Sequence, residues 1–191
     1  MDKKEIIAFF DKLAPCWDET NIRNEEVIAE ILQKGGISNG VKVLDVACGT
    51  GVLFPDYIRL GAAVVGIDIS ENMVKKAREK FPSVEVICAD VNEFDFEDKF
   101  DAVMIYNAFP HFIDPLRLIE KLSGVLRESG RFTVAHGISE KELEECHSGG
   151  AKNVSVPLVK KEVLADMMSP YLNVDVLISD DRMYMVSGTK K

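Results

Sequence analysis

The sequence predicts an α/β fold: a mostly parallel sheet with helices on both faces. Short apolar runs rich in β-branched residues recur at 41–46, 63–67, 84–88, 102–106 and 132–135, as expected of strands buried on both faces. Amphipathic stretches with recognisable ends lie between them, and such alternation places ligands outside the carboxyl ends of the strands. The nonapeptide Val43-Leu44-Asp45-Val46-Ala47-Cys48-Gly49-Thr50-Gly51 then joins the first apolar run to a glycine turn that opens a helix.

Each element has a local reason. Ile6, Phe10, Leu13 and Trp17 recur at three- and four-residue spacing, and Val27, Ile28, Ile31 and Leu32 repeat that pattern until Gly35-Gly36 stops it. The stretch after Ser70 carries Met73, Val74 and Ala77 and halts at Phe81-Pro82. Asp114-Pro115, a cap followed by proline in the first turn, opens a helix expected to run to Gly130. After Gly137 the pattern loosens through Gly149-Gly150, which predicts a mobile segment. A helix from Lys160 to Met168 ends before Pro170, and closing strands at 174–178 and 183–187 flank Ser179-Asp180-Asp181, the turn of an antiparallel hairpin.

Composition narrows the function classes. A chain of 191 residues with 47% hydrophobic content fits one globular domain. The net charge of −9, with no Lys/Arg run, disfavours a nucleic-acid partner. No signal-peptide pattern and no span of about 18 apolar residues occurs, so a cytoplasmic protein without membrane insertion is expected. Cys16, Cys48, Cys88 and Cys146 are scattered without a Cys-x-x-Cys pair, which fits reduced thiols and no metal site.

The chemistry gathers at the predicted strand ends. Gly49 and Gly51 allow the chain to turn sharply with backbone N–H groups facing a ligand. Asp68, 19 residues beyond Gly49, suits a carboxylate accepting both hydroxyls of a ribose. Asp90 ends the next strand, where it would accept from an adenine amine, with Val91, Ile69 and Met73 offering apolar faces. A dinucleotide site competes, but Phe54 stands where its third glycine belongs, and Asp45 beside the turn would repel a pyrophosphate. A nucleoside carrying positive charge fits better.

The series VLDVACGTG, GIDIS with ENMVKKAR, CAD, FDAVMIYNAFPHFIDP and VLRESGRFTVAH closely resembles the class I S-adenosylmethionine-dependent methyltransferases. Within them it looks most like the ubiquinone/menaquinone-methyltransferase-like small-molecule group, strongly over residues 41–137. The opening Phe9 to Asp18 resembles that group's amino-terminal segment, which brings Trp17 toward the cofactor. The resemblance implies a single Rossmann-like domain with seven strands, the last antiparallel. Residues 1–36 would form a helical lid, 41–137 the cofactor-binding core, and 138–191 the variable acceptor segment with the closing strands. It implies that Asp45, Ala47, Gly49, Gly51 and Asn107 surround the methionine part of S-adenosylmethionine. Asp68 would hold the ribose, Ile69 and Met73 the adenine face, and Asp90 with Val91 the adenine edge. Ala47 replaces a commoner glycine, and Glu128-Ser129-Gly130 stands where many relatives have Lys-Pro-Gly-Gly.

Methyl transfer to a small-molecule acceptor needs alignment and exclusion of water, plus a base where the acceptor must lose a proton. His111, His136 and His147 are the candidate bases, since histidine titrates near neutrality. Tyr106 is a poor base at neutral pH. Trp17, Phe9 and Phe10 would line a lid over an apolar acceptor. An NAD-dependent oxidoreductase and a non-catalytic S-adenosylmethionine-binding module are the alternatives; acceptor identity and oligomeric state are not encoded in these motifs.

Overall fold

A computed structural model of the chain describes residues 2–20, 23–148 and 153–191. Its strands are β1 (Lys42–Val46), β2 (Ala63–Asp68), β3 (Glu85–Cys88), β4 (Phe100–Tyr106), β5 (Leu126–His136), β6 (Leu172–Ser179) and β7 (Tyr184–Lys190). They form one seven-stranded sheet in the order β3-β2-β1-β4-β5-β7-β6. β7 runs antiparallel to both neighbours, as the closing hairpin required, and the other observed pairings are parallel. The chain moves outward from β1 to β3 and then crosses to β4, so the direction of winding reverses between β1 and β4. Their carboxyl ends therefore splay apart and leave a crevice.

Eight helices are described: α1 (Lys3–Leu13), α2 (Trp17–Thr20), α3 (Glu25–Lys34), α4 (Phe54–Arg59), α5 (Glu71–Lys80), α6 (Pro115–Val125), α7 (Glu140–Ser148) and α8 (Lys161–Met168). The starts of α3, α5 and α6 are set by Asn24, Ser70 and Asp114, whose side chains accept from the N–H groups of Val27, Met73 and Arg117. Strand alternation then sorts the core. Leu44, Val46, Val103 and Ile105 face Leu118, Ile119 and Leu122 of α6 and Leu164 and Met168 of α8. Val43, Ala102 and Met104 face α3, α4 and the Val74–Ala77 side of α5. Three layers result, with the central strands buried on both faces.

The structure departs from the sequence pattern in three places. α6 stops at Val125 instead of running to Gly130, because Leu126 already pairs with Phe100 and the register to β4 shifts before Arg131 meets Ala102. The bulged residues between hold Ser129 at φ 61°. The first apolar stripe is divided between α1 and α2 by a 3₁₀ turn at Ala14–Cys16, where Pro15 interrupts the pattern. α7 forms where the pattern loosens: the Ser139 N–H donates to Glu142 Oε2 at 2.9 Å while the Glu142 N–H donates to Ser139 Oγ at 3.3 Å, a capping box. Gly149 and Gly150, expected to be mobile, lie outside the described residues.

Gly66 on β2 shows how tightly the layer beneath the crevice is filled. A Cβ there would lie 2.7 Å from the Phe54 ring and 2.8 Å from the Cys48 sulfur, and Phe54 is fully buried. Gly66→Ala should therefore destabilise the fold by about 1–3 kcal/mol. In urea unfolding this appears as a lower midpoint at unchanged slope, and an unchanged midpoint would show that the ring has room to yield.

Candidate active site

The crevice between β1 and β4 opens into a cavity. Its floor comes from Asp45, Ala47, Cys48 and Gly49 after β1, and from Tyr106, Asn107 and Ala108 after β4. One wall is Asp68, Ile69 and Met73; the far end is Asp90, Val91 and Asn92; Lys3, Ile6, Phe10 and Trp17 of the amino-terminal helices face it from above. Ala47 and Asn107 both adopt φ 55°. A left-handed alanine is strained by about 1–2 kcal/mol, which is why glycine is the easier residue there.

Asp68 holds the turn in shape. Its Oδ2 accepts the Gly49 N–H at 2.8 Å and its Oδ1 accepts the Ser70 N–H at 2.9 Å. Each oxygen keeps a further lone pair for a hydroxyl donor. Burial pushes this carboxyl above the ordinary carboxylate range, opposed by the backbone N–H groups of Ser70, Gly49 and Ile69 that favour its charge. Gly49 also adopts φ 55° and is at the cavity wall. Gly51, expected around the ligand as well, is not on that wall. It has φ 82°, and a Cβ there would lie 2.7 Å from the Phe54 ring, so it serves the packing of the turn.

Asp45 is nearly inaccessible, and among the described residues no hydrogen-bond donor pairs with its carboxyl. Burial, and secondarily the Asp68 charge, push it well above the ordinary range. The same surroundings push the Cys48 thiol upward. An unpartnered carboxyl of this kind is suited to a cationic ligand group.

The amino-terminal helices are fastened mainly through polar side chains. Lys3 forms an ion pair with Asp90. Asp11 Oδ1 accepts from Ser70 Oγ at 2.6 Å and from the Asn72 N–H at 3.1 Å. Asp18 accepts from Thr50 Oγ1 at 2.5 Å and Lys80 Nζ at 2.7 Å. Arg23 donates to the Val52 carbonyl and to Asp56 at 2.6 Å. Sequence reasoning missed all four residues: each reads as an ordinary solvated charge, and only tertiary approach gives it a partner.

The histidines separate. His111 ends the 3₁₀ turn Phe109–His111 and lines the cavity, its ring edge-on to Phe10 at 4.9 Å. His136 is fully buried and is not on the cavity wall. β7 pairs alongside it, and its ring packs against Tyr184 at 5.9 Å. That placement corrects the expectation of a catalytic position for His136. His147 belongs to α7, and its side chain lies outside the described residues. Tyr106 lines the cavity, with a phenol pushed further up by burial. Trp17, Asp45, Ala47, Gly49, Asp68, Ile69, Met73, Asp90, Val91 and Asn107 are all at the wall.

Residues 44–134 match the model of a methyltransferase domain. A demethylmenaquinone methyltransferase of Renibacterium salmoninarum is 31% identical over 147 residues, 71% of this chain and 60% of that protein. The chain carries a methyltransferase domain over residues 44–134. Its fold matches a solved methyltransferase, the magnesium protoporphyrin IX methyltransferase of Synechocystis with bound S-adenosylmethionine (TM-score 0.72, 16% identity, 100% of this chain and 98% of that one). A solved protein of Pyrococcus horikoshii shares the fold at TM-score 0.72 and 24% identity, over 87% of this chain and 89% of that one. The chain spans less than two thirds of the length of the curated relatives it matches first, 60%, 54% and 57%.

S-adenosylmethionine is the cofactor, and the site fits it: a hydroxyl acceptor at Asp68, a buried carboxyl at Asp45 and apolar faces at Ile69 and Met73. The raised Asp45 carboxyl gives this chain a pH signature. A folded value above the ordinary 3.8 means that the stability present below that pH is lost as pH rises through the folded value. Asp45→Asn removes the loss, so its melting temperature should exceed the parent's near pH 7 and equal it near pH 4. The same variant should bind S-adenosylmethionine about tenfold more weakly, the scale of one charge-assisted hydrogen bond. Equal melting at neutral pH with unchanged affinity would contradict this role.

Proposed function

We propose that the chain transfers the methyl group of S-adenosylmethionine to a small, largely apolar acceptor that loses a proton in the reaction. The observation that carries this reading is the composition of the cavity beyond the glycine turn: Phe10, Trp17, Tyr106, Phe112 and Ile113 with one imidazole, His111. The relative from Renibacterium is named for a demethylated quinone, an acceptor of that class. The absence of a helix long and apolar enough to cross a membrane among the described residues and the free thiols of Cys16, Cys48 and Cys88 support action in the cytoplasm.

The roles follow from position. Asp45, Ala47, Gly49 and Asn107 surround the methionine portion, with Asp45 facing its ammonium. Asp68 accepts from the ribose hydroxyls, Ile69 and Met73 cover the adenine faces, and Asp90 with Val91 reads the adenine edge. The cofactor supplies a methyl group on a sulfonium, which leaves the sulfur as an in-line lone pair arrives. His111 takes the acceptor's proton, while α1 and Trp17, the lid formed by residues 1–36, exclude water. Residues 41–137 hold the cofactor, and 138–191 shape the acceptor side.

Calorimetric titration should show S-adenosylmethionine and S-adenosylhomocysteine binding, with labelled methyl transferred to a naphthohydroquinone probe. His111→Ala should lower turnover by about 10²–10⁴-fold while leaving cofactor affinity unchanged. Binding of neither compound would overturn the function, and full turnover in the variant would leave alignment alone as the source of rate.

A further inference from the structure

The segment after α7 reaches back to His111. The Val154 carbonyl oxygen lies 2.8 Å from His111 Nδ1, and Ser155 Oγ lies 3.1 Å from the same nitrogen. A carbonyl has no proton to give, so the first contact is a hydrogen bond only when Nδ1 carries the hydrogen. A neutral ring of that form has its lone pair on Nε2. The segment is itself pinned, because the Val156 N–H donates to the Pro110 carbonyl at 2.9 Å and Val154 is buried. His111 is fastened from its own side by its N–H, which donates to the Ala108 carbonyl at 3.0 Å. Phe10 packs edge-on to the ring.

We propose that Ser155 is a positioning residue for methyl transfer. Together with the Val154 carbonyl, it fixes His111 with the proton on Nδ1, so that Nε2 receives the acceptor's proton. This rests on the reading of His111 as the base. The acceptor's lone pair forms the new bond to the methyl carbon, the carbon–sulfur pair stays on sulfur, and the acceptor's proton moves to Nε2. The ring then carries a positive charge with an N–H on both nitrogens. The Val154 and Ser155 oxygens, as acceptors at Nδ1, stabilise that charged form. The base is thus oriented by a part of the chain far from the cofactor motifs, much as outer hydrogen bonds orient histidines elsewhere.

The full chain contains three histidines, so ¹⁵N-histidine labelling gives a spectrum in which His111 is assigned by the His111→Gln variant. With the rings neutral, His111 should show a protonated Nδ1 and a bare Nε2. Ser155→Ala should shift part of the population to the other tautomer and lower turnover of the naphthohydroquinone probe about three- to tenfold, the scale of one neutral hydrogen bond. KM and cofactor affinity should hold, and Ser155→Thr should restore the rate. A protonated Nε2 in the parent, or undiminished turnover in Ser155→Ala, overturns the assignment to Ser155 while an inactive His111→Gln preserves the base. Full turnover in His111→Gln overturns the base reading itself.

Discussion

The bidentate grip of Asp68 on the Gly49 and Ser70 N–H groups organises the carboxyl edge of the sheet. It joins the turn after β1 to the start of α5, two segments that the parallel pairing of β1 and β2 brings side by side but does not connect. With that carboxylate in place, the left-handed turn has a fixed shape and both oxygens retain capacity for a ligand. Removal of the carboxylate would leave two backbone donors near the cavity without acceptors, so any substitution of Asp68 disturbs the turn itself.

Strain and unmet polarity concentrate around the same edge. Ala47 and Asn107 are left-handed at the ends of β1 and β4, and Asp45 is buried with no donor among the described residues. Away from this edge the sheet is covered by apolar layers on both faces, with Ser129 in the β5 bulge as its left-handed non-glycine residue. Such features persist where surrounding packing over-determines them. Phe54 supplies much of that packing from beneath, filling the space left by Gly51 and Gly66.

What was legible in the sequence is what local backbone chemistry dictates. The glycine turn, the strand-end Asp68 and Asp90, the Asp114-Pro115 cap and the closing hairpin all announce themselves within a few residues, and the structure brings most of the expected cofactor residues to one cavity. The capping box of Ser139 and Glu142 was equally local, but it lay in a stretch whose apolar periodicity is weak. The end of α6 was hidden because pairing of Leu126 with Phe100, a tertiary event, overrides the helical pattern. His136 looked like a strand-end catalytic group until β7 and Tyr184 closed over it. The fastenings of the amino-terminal segment at Lys3, Asp11, Asp18 and Arg23 have no sequence signal, since each partner lies far along the chain.

Those fastenings carry a kinetic consequence. Ile6 is the one buried residue of α1, so the helix is held over the cavity mainly by exchangeable hydrogen bonds and ion pairs. Each is replaced by water at a net change of about 1 kcal/mol or less, whereas the sheet beneath would have to expose apolar surface to move. Detachment of the amino-terminal helices is therefore a separate, shallow opening step that leaves the core intact. Salt shortens the time these helices stay docked, while the geometry of the pocket floor beneath them stays constant.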